Sequence, residues 1–299
     1  MADPVTLPDE ITEEAVRVTA RDGFSLSALW LRPPAAKGAL LVSTGTGYPK
    51  EFYLRFARAA AERGFACLLF DWRGIGGSAP EDLAAMKMDY SDWGRLDFPA
   101  MFEALRAGSG TDGPHLHVGH SAGGHMVGFA DNHALIDAHA FICVGSGYWG
   151  NHLLWYRPAA LWFWHGWGAW SLAQHGYVKR GGGWTGRPLP RGVFETWKRW
   201  CHDPSYYRRE LEEKLRPHHF EDVTAPIRSF IYKDDPIATP KTGQHMLDAY
   251  PNAPSELVVA SAADFGLSAI RHDGPFPKRS LAAAEPVLEW LDSFLIVER

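Results

Sequence analysis

Short apolar runs and amphipathic stretches take turns along most of this chain. Ala39–Ser43 and Phe65–Phe70 are apolar without alternation, as expected for strands buried on both faces. Ala15–Thr19 and Phe24–Leu31 read as a strand pair joined by Arg21-Asp22-Gly23, and Pro33-Pro34 breaks the chain after them. Between the two buried runs, Glu51–Arg63 has helical composition and stops at Gly64. Tyr90–Arg106 predicts a helix, His115–Gly119 a strand, Ala122–Asn132 a helix and Ala140–Gly145 a strand. The alternation returns later with strand Ile227–Tyr232, helix Lys241–Tyr250, strand Glu256–Ala260 and a final helix Ser280–Val297. Strands alternating with helices predict an α/β domain, a mostly parallel sheet flanked by helices.

The alternation is interrupted once. Nine of the 13 tryptophans lie between Gly147 and Phe220, together with the loop Lys179–Pro190 and its run Gly181-Gly182-Gly183. One α/β domain with an insertion after the sixth strand accounts for this. The expected division is residues 1–146 and 221–299 for the core and 147–220 for the insertion.

Composition narrows the function classes. The chain has 299 residues, 46% of them hydrophobic and 22% charged, which is the make-up of a globular protein. A formal net charge of −5 argues against nucleic acid as a partner, because phosphate contacts need a concentrated basic surface. The longest aromatic stretch, Leu161–Trp170, contains His165 and is too short to span a bilayer, so no membrane partner is expected. The acidic start, MADPVTLPDEITEE, lacks the apolar core of a secretory signal. Cys67, Cys143 and Cys201 are odd in number and far apart, so no disulfide framework is expected and the cytoplasm is the default location.

The sharpest local signal is Gly119-His120-Ser121-Ala122-Gly123, set between a strand-like and a helix-like segment. A serine on so tight a strand-to-helix turn takes a strained backbone, and small residues on either side let strand and helix approach. A serine hydroxyl is a weak nucleophile at neutral pH and needs a base, itself oriented by an acid. For this turn the acid and base should follow in the order Ser, acid, His. Lys233-Asp234-Asp235-Pro236-Ile237 follows the strand Ile227–Tyr232, and Arg271-His272-Asp273-Gly274 precedes the last helix. Asp235 is preferred over Asp234 because Asp-Pro-Ile fits the turn out of that strand. Either aspartate could instead be a solvated turn residue, and His272 a loop histidine without a role. The oxyanion donors expected are the amides of Ala122 and of Thr46, the latter in the glycine-bearing turn Thr44-Gly45-Thr46-Gly47-Tyr48.

With these residues assembled, the sequence resembles an α/β-hydrolase of the serine type. Asp71-Trp72-Arg73-Gly74-Ile75-Gly76-Gly77-Ser78 resembles the Asp-x-Arg-Gly-x-Gly-x-Ser loop of that family. More narrowly it is similar to bacterial α/β-hydrolases of the serine-aminopeptidase-like and esterase branches. The features are Ser43-Thr44-Gly45, Gly145-Ser146-Gly147-Tyr148-Trp149, Leu189-Pro190-Arg191-Gly192-Val193 and Trp197-Lys198-Arg199-Trp200-Cys201. Most relatives carry His-Gly where this chain has Thr44-Gly45. The resemblance implies hydrolysis of an ester-like bond in a small hydrophobic or aromatic substrate through a covalent serine intermediate, without a cofactor. It implies that the insertion is a lid, with Tyr148, Trp149 and His120 as candidate pocket walls. Most of the other tryptophans are expected to form the lid's own core.

Other readings compete with this one. His115, His117 and His120 invite a metal, but no Cys or acidic ligand stands at a useful spacing, so none is expected. No G-x-G-x-x-G follows a strand and opens a helix. The same triad could serve a carbon–carbon bond hydrolase or an acyltransferase, and a hydrolase fold can also be a binding protein without activity.

Overall fold

The computed structural model describes residues 10–295. The start of the chain discussed above, up to residue 9, and the end of the predicted last helix, at Val297, lie outside them. The chain runs β1 (Thr12–Thr19), β2 (Ser25–Arg32), β3 (Gly38–Ser43), α1 (Leu54–Glu62) and β4 (Phe65–Phe70). It continues with α2 (Phe98–Gly108), β5 (His115–His120), α3 (Ala122–His125) and β6 (Ala138–Ile142). Then come α4 (Arg157–Leu161), α5 (Gly168–His175), β7 (Tyr177–Val178), β8 (Leu189–Pro190), α6 (Arg191–Cys201) and α7 (Arg208–Glu213). The last elements are β9 (Ile227–Tyr232), α8 (Pro240–Leu247), β10 (Ser255–Ala260) and α9 (Glu285–Asp292).

Eight strands form one sheet in the order β1-β2-β4-β3-β5-β6-β9-β10, with β7 and β8 paired separately. β1 and β2 run antiparallel to their neighbours, and every pairing from β4 to β10 is parallel. β3 and β4 are buried at every residue, which is why their sequences show no alternation. On one face α1 and α9 bury Phe56, Ala60, Val287 and Leu291; on the other α2 and α8 bury Phe98, Met101, Met246 and Leu247. The sheet is therefore doubly covered, as the alternation of elements requires.

Three predicted helices differ from the sequence reading, two of them for identifiable reasons. The one read from Tyr90 opens with a wide π turn at Trp93–Asp97 before α2 begins. Pro99 has no N–H to offer the carbonyl four residues back, and Gly94 lies hard against Phe129. The one read over Ala122–Asn132 is α-helical only to His125. The Tyr250 hydroxyl accepts from the Gly128 amide at 3.3 Å and donates to the Gly124 carbonyl at 3.3 Å, standing inside what would be the next helical hydrogen bond. The Tyr207 hydroxyl donates to the following carbonyl, that of His125. The predicted last helix is likewise partly 3-10, over Lys278–Ala284, ahead of α9.

Residues 147–220 join β6 to β9. Trp164 and Trp200 are buried in the same apolar layer as α2, and Trp149, Trp167, Trp184 and Trp197 pack half-buried against it. Trp155, Trp162 and Trp170 are exposed.

Candidate active site

Ser121 sits where β5 turns into α3, with φ 48° and ψ −112°. Such a backbone costs an L-residue about 1–3 kcal/mol, so its surroundings must hold it. The flanking glycines show how. A Cβ on Gly119 would lie 2.7 Å from the Gly124 nitrogen, and one on Gly123 would lie 2.2 Å from Ser43 Oγ. A Cβ on Gly124 would meet Val144 of the β6 exit at 2.4 Å. The G-x-S-x-G spacing is thus a record of two close approaches, and Gly124 just after it adds a third. Ser121 itself remains partly exposed to solvent.

The two predicted partners arrive from loops at the ends of β9 and β10. His272 Nε2 lies 3.1 Å from Ser121 Oγ, and His272 Nδ1 lies 2.9 Å from Asp235 Oδ2. Asp235 is buried, and its other oxygen accepts from the amides of Ile237 and Ala238 at 2.8 and 2.9 Å. Burial by itself would lower the His272 pKa. The Asp235 charge and hydrogen bond, with the nearby Asp273 carboxylate, outweigh it and set the imidazole above its ordinary value. Asp273 in turn is held by the Tyr48 hydroxyl and by Arg279.

The neighbouring Asp234 is not a solvated turn residue. Its two oxygens accept from the amides of Ile270, at 2.8 Å, and Arg271, at 3.1 Å, and so fix the loop that carries His272. Arg271 has a positive φ of 61°, so this loop too is under local strain.

The Thr44–Tyr48 turn lies beside the elbow, with Gly45 against the His120 ring. Among the described residues, the amides of Thr46 and Ala122 have no intramolecular acceptor. The turn is fixed by its other groups. Trp72 Nε1 donates to the Thr44 carbonyl, Thr46 Oγ1 meets the Tyr90 hydroxyl, and Tyr53 Oη accepts from the Gly45 amide. Trp72 and Trp93 stack at 5.1 Å. The loop Asp71–Ser78 is a scaffold: Asp71 pairs with Lys50, Arg73 with Asp97 and Asp22, and Ser78 Oγ donates to the Asp71 carbonyl.

His120 is placed differently from the expectation. Its ring is fully buried among Tyr48, Tyr53 and Phe276, with Nδ1 2.7 Å from Tyr53 Oη and Nε2 2.8 Å from the His272 carbonyl. Both nitrogens are spent on the protein, so it is a brace and not a pocket wall. Burial, helped by the nearby His272, pushes its pKa down to about 3, so the ring is neutral. Nε2 must then donate to the His272 carbonyl while Nδ1 accepts from Tyr53. The chain Gly45 N–H, Tyr53 O–H, His120, His272 C=O connects the Thr44–Tyr48 turn to the histidine loop. No sequence signal distinguished Tyr53 or Asp234, because the His120 ring and the Ile270 and Arg271 amides that they hold are remote in the chain. His115 and His117 share a strand face but hold no metal arrangement with His120. His117 instead bridges Ser43 Oγ at 2.7 Å and His139 at 3.0 Å.

Tyr148 and Trp149 are half-buried just past β6. Their segment is tied to the acid turn by Leu153 N–H donating to the Pro236 carbonyl at 3.0 Å. Farther along the insertion, Arg187 N–H donates to the Gly47 carbonyl at 2.7 Å and the Trp184 ring lies against Gly47.

The family model described as "Alpha/beta hydrolase family" matches residues 39–286. Similar solved structures include a hypothetical protein of Pseudomonas aeruginosa, 17% identical over 96% of this chain and 95% of its own, with a TM-score of 0.60. An esterase of Pyrococcus furiosus is 15% identical over 95% of this chain and 93% of its own, with a TM-score of 0.57. A serine hydrolase without a lid from Xanthomonas campestris is 15% identical over 98% of both chains, with a TM-score of 0.54. No curated protein matches the sequence.

Proposed function

The chain belongs to the alpha/beta hydrolase family, and from that premise we propose that it is a serine esterase working through an acyl-enzyme on Ser121. The observation that carries this reading is the run of contacts Ser121 Oγ, His272 and Asp235 at 3.1 and 2.9 Å, built on a strained turn.

In this mechanism Ser121 Oγ attacks the carbonyl carbon of a carboxylic ester or thioester as its proton passes to His272 Nε2. Asp235 accepts from His272 Nδ1–H, which fixes the tautomer and stabilises the imidazolium. The Ala122 and Thr46 amides receive the oxyanion. One such donor is typically worth about 2.7–4 kcal/mol of barrier. The imidazolium then gives its proton to the leaving alcohol or thiol. Water, deprotonated by the same nitrogen, releases the acid and restores the serine. Residues 147–220 serve as a cap, since they touch both the acid turn at Pro236 and the oxyanion turn at Gly47. Tyr148 and Trp149 wall the acyl pocket, which suits small hydrophobic or aromatic substrates.

The test is labelling with a fluorophosphonate read by intact mass, wild type beside Ser121→Ala. One adduct on the wild type and none on the variant supports the reading. No adduct on a folded wild type overturns it and leaves a binding protein on this fold.

A further inference from the structure

The insertion has an unusual outer surface. Leu154, Trp155, Trp162 and Trp170 are 76%, 64%, 57% and 51% exposed. Leu154 and Trp155 stand in the turn just ahead of α4, and Trp162 and Trp170 lie on the helical stretch made by α4, a π turn at Trp162–Trp167, and α5. Trp162 and Trp170 are eight apart, but the wide turn between them absorbs about one residue and returns Trp170 to the same line. The result is a row of exposed indoles, two on a helix about 28 Å long and one in the turn at its start. Pro158, Ala159, His165, Ala173 and Gln174 complete its exposed face, which carries no Asp, Glu, Lys or Arg.

Charge is segregated along this stretch of the sequence. From Ala138 to Phe194 the sequence has no Asp or Glu, against five cations, although the whole chain carries a formal −5. The loop at Lys179–Gly183 lies against the helix, because Trp162 Nε1 donates to the Gly182 carbonyl and Trp167 Nε1 to the Lys179 carbonyl. The exposed Lys179 and Arg180 therefore flank the tryptophans, and neither has a carboxylate partner among the described residues.

We propose that this face docks on the surface of an anionic phospholipid bilayer. Indoles favour the boundary between headgroups and acyl chains, and lysine and arginine beside them meet lipid phosphate. A second copy fits less well. A two-fold contact would set the same acid-free surface against itself and bring like charges together. Docking of this kind is superficial; no helix among the described residues is long and apolar enough to cross a membrane. The inference goes beyond the proposed esterase chemistry and is read without turnover.

The experiment is flotation of the full chain with vesicles of phosphatidylcholine alone or with about a third phosphatidylglycerol. The expected result is partition into the anionic vesicles about ten-fold stronger than into the neutral ones, and weakened when salt is raised to about 0.5 M. Leu154→Ser/Trp155→Ser/Trp170→Ser and, separately, Lys179→Glu/Arg180→Glu should each weaken it about ten-fold. The charge pair sits on exposed loop positions, so it tests the proposal even if the triple variant misfolds. Equal partition into both vesicle types, or wild-type binding by the charge variant, overturns the proposal. A dimer in light scattering that the tryptophan variant dissolves, with no vesicle binding, assigns the face to a second copy and overturns it as well.

Discussion

Asp234 and Asp235 stand side by side and hold different things. Asp235 touches the imidazole, whereas Asp234 touches only the backbone of the loop that delivers it. Asp235→Asn should lower kcat/KM for a nitrophenyl ester by about three to four orders of magnitude, since an amide stabilises the wrong tautomer. Asp234→Asn keeps one acceptor oxygen and should lose less than about ten-fold, together with some stability as the Ile270 and Arg271 amides compete for it. A larger loss from Asp234→Asn than from Asp235→Asn would reverse the two roles. The pH dependence also belongs to this scale. The proposed base works as neutral imidazole, so kcat/KM should rise with pH through the His272 pKa. Asp235 and Asp273 hold that pKa above the ordinary histidine value despite burial. The limb should therefore lie above about 6.5, and Asp273→Asn should move it down. A limb that ignores Asp273 would detach that carboxylate from the site.

At the scale of elements, the elbow depends on what glycine omits. Gly119→Ala would drive a methyl to 2.7 and 2.8 Å from backbone atoms of Gly124 and Gly123, and backbone cannot swing aside as a side chain can. The expected cost is about 3 kcal/mol or more in urea unfolding, near the top of the range for overpacking. Gly183→Ala, at φ 96° with nothing within 4 Å, should cost about 1 kcal/mol through its backbone alone. Equal costs would mean that the close approaches at the elbow are relaxed in solution. The contrast between elements also explains what could be read in advance. β3 and β4 were legible because complete burial writes itself as an almost unbroken apolar run. Ser121, Asp235 and His272 could be nominated because they follow strand-like segments in the chain order that the elbow requires. The early end of α3 was not legible, because the hydroxyls that interrupt it belong to Tyr207 and Tyr250, about 80 and 125 positions along the chain. His120 was misjudged for the same reason: nothing local announces that Tyr53 and the His272 carbonyl will consume both its nitrogens.

For the molecule as a whole, the decisive titratable groups are buried histidines rather than surface ion pairs. Burial lowers the pKa of His120 and His139 to about 3 and of His125 and His152 to about 4, and it depresses His117 as well. Each stays neutral in the fold, while its unfolded counterpart takes up a proton near pH 6.5. Below that value the unfolded chain binds more protons than the native one, so stability falls as pH falls. Each group contributes about 1.4 kcal/mol per pH unit until its own folded pKa is reached. His120, His125, His139 and His152 together remove about 5 kcal/mol between pH 6 and pH 5, a large share of the 5–15 kcal/mol typical of a domain. His272 has the opposite sign. Its raised pKa adds stability that is complete below pH 6.5 and is lost as pH rises through the folded value, so it cannot offset the loss on the acid side. Urea unfolding at pH 7.5, 6 and 5 should show a steep decline well above the range where carboxylates titrate. His139→Leu should reduce the slope of stability against pH by one proton, whatever it does to stability itself. A flat profile from pH 7 to pH 5 would mean that these rings are hydrated or already charged in the native protein. That would dismantle the Tyr53–His120–His272 brace along with the acid lability, because a charged His120 could not accept from Tyr53.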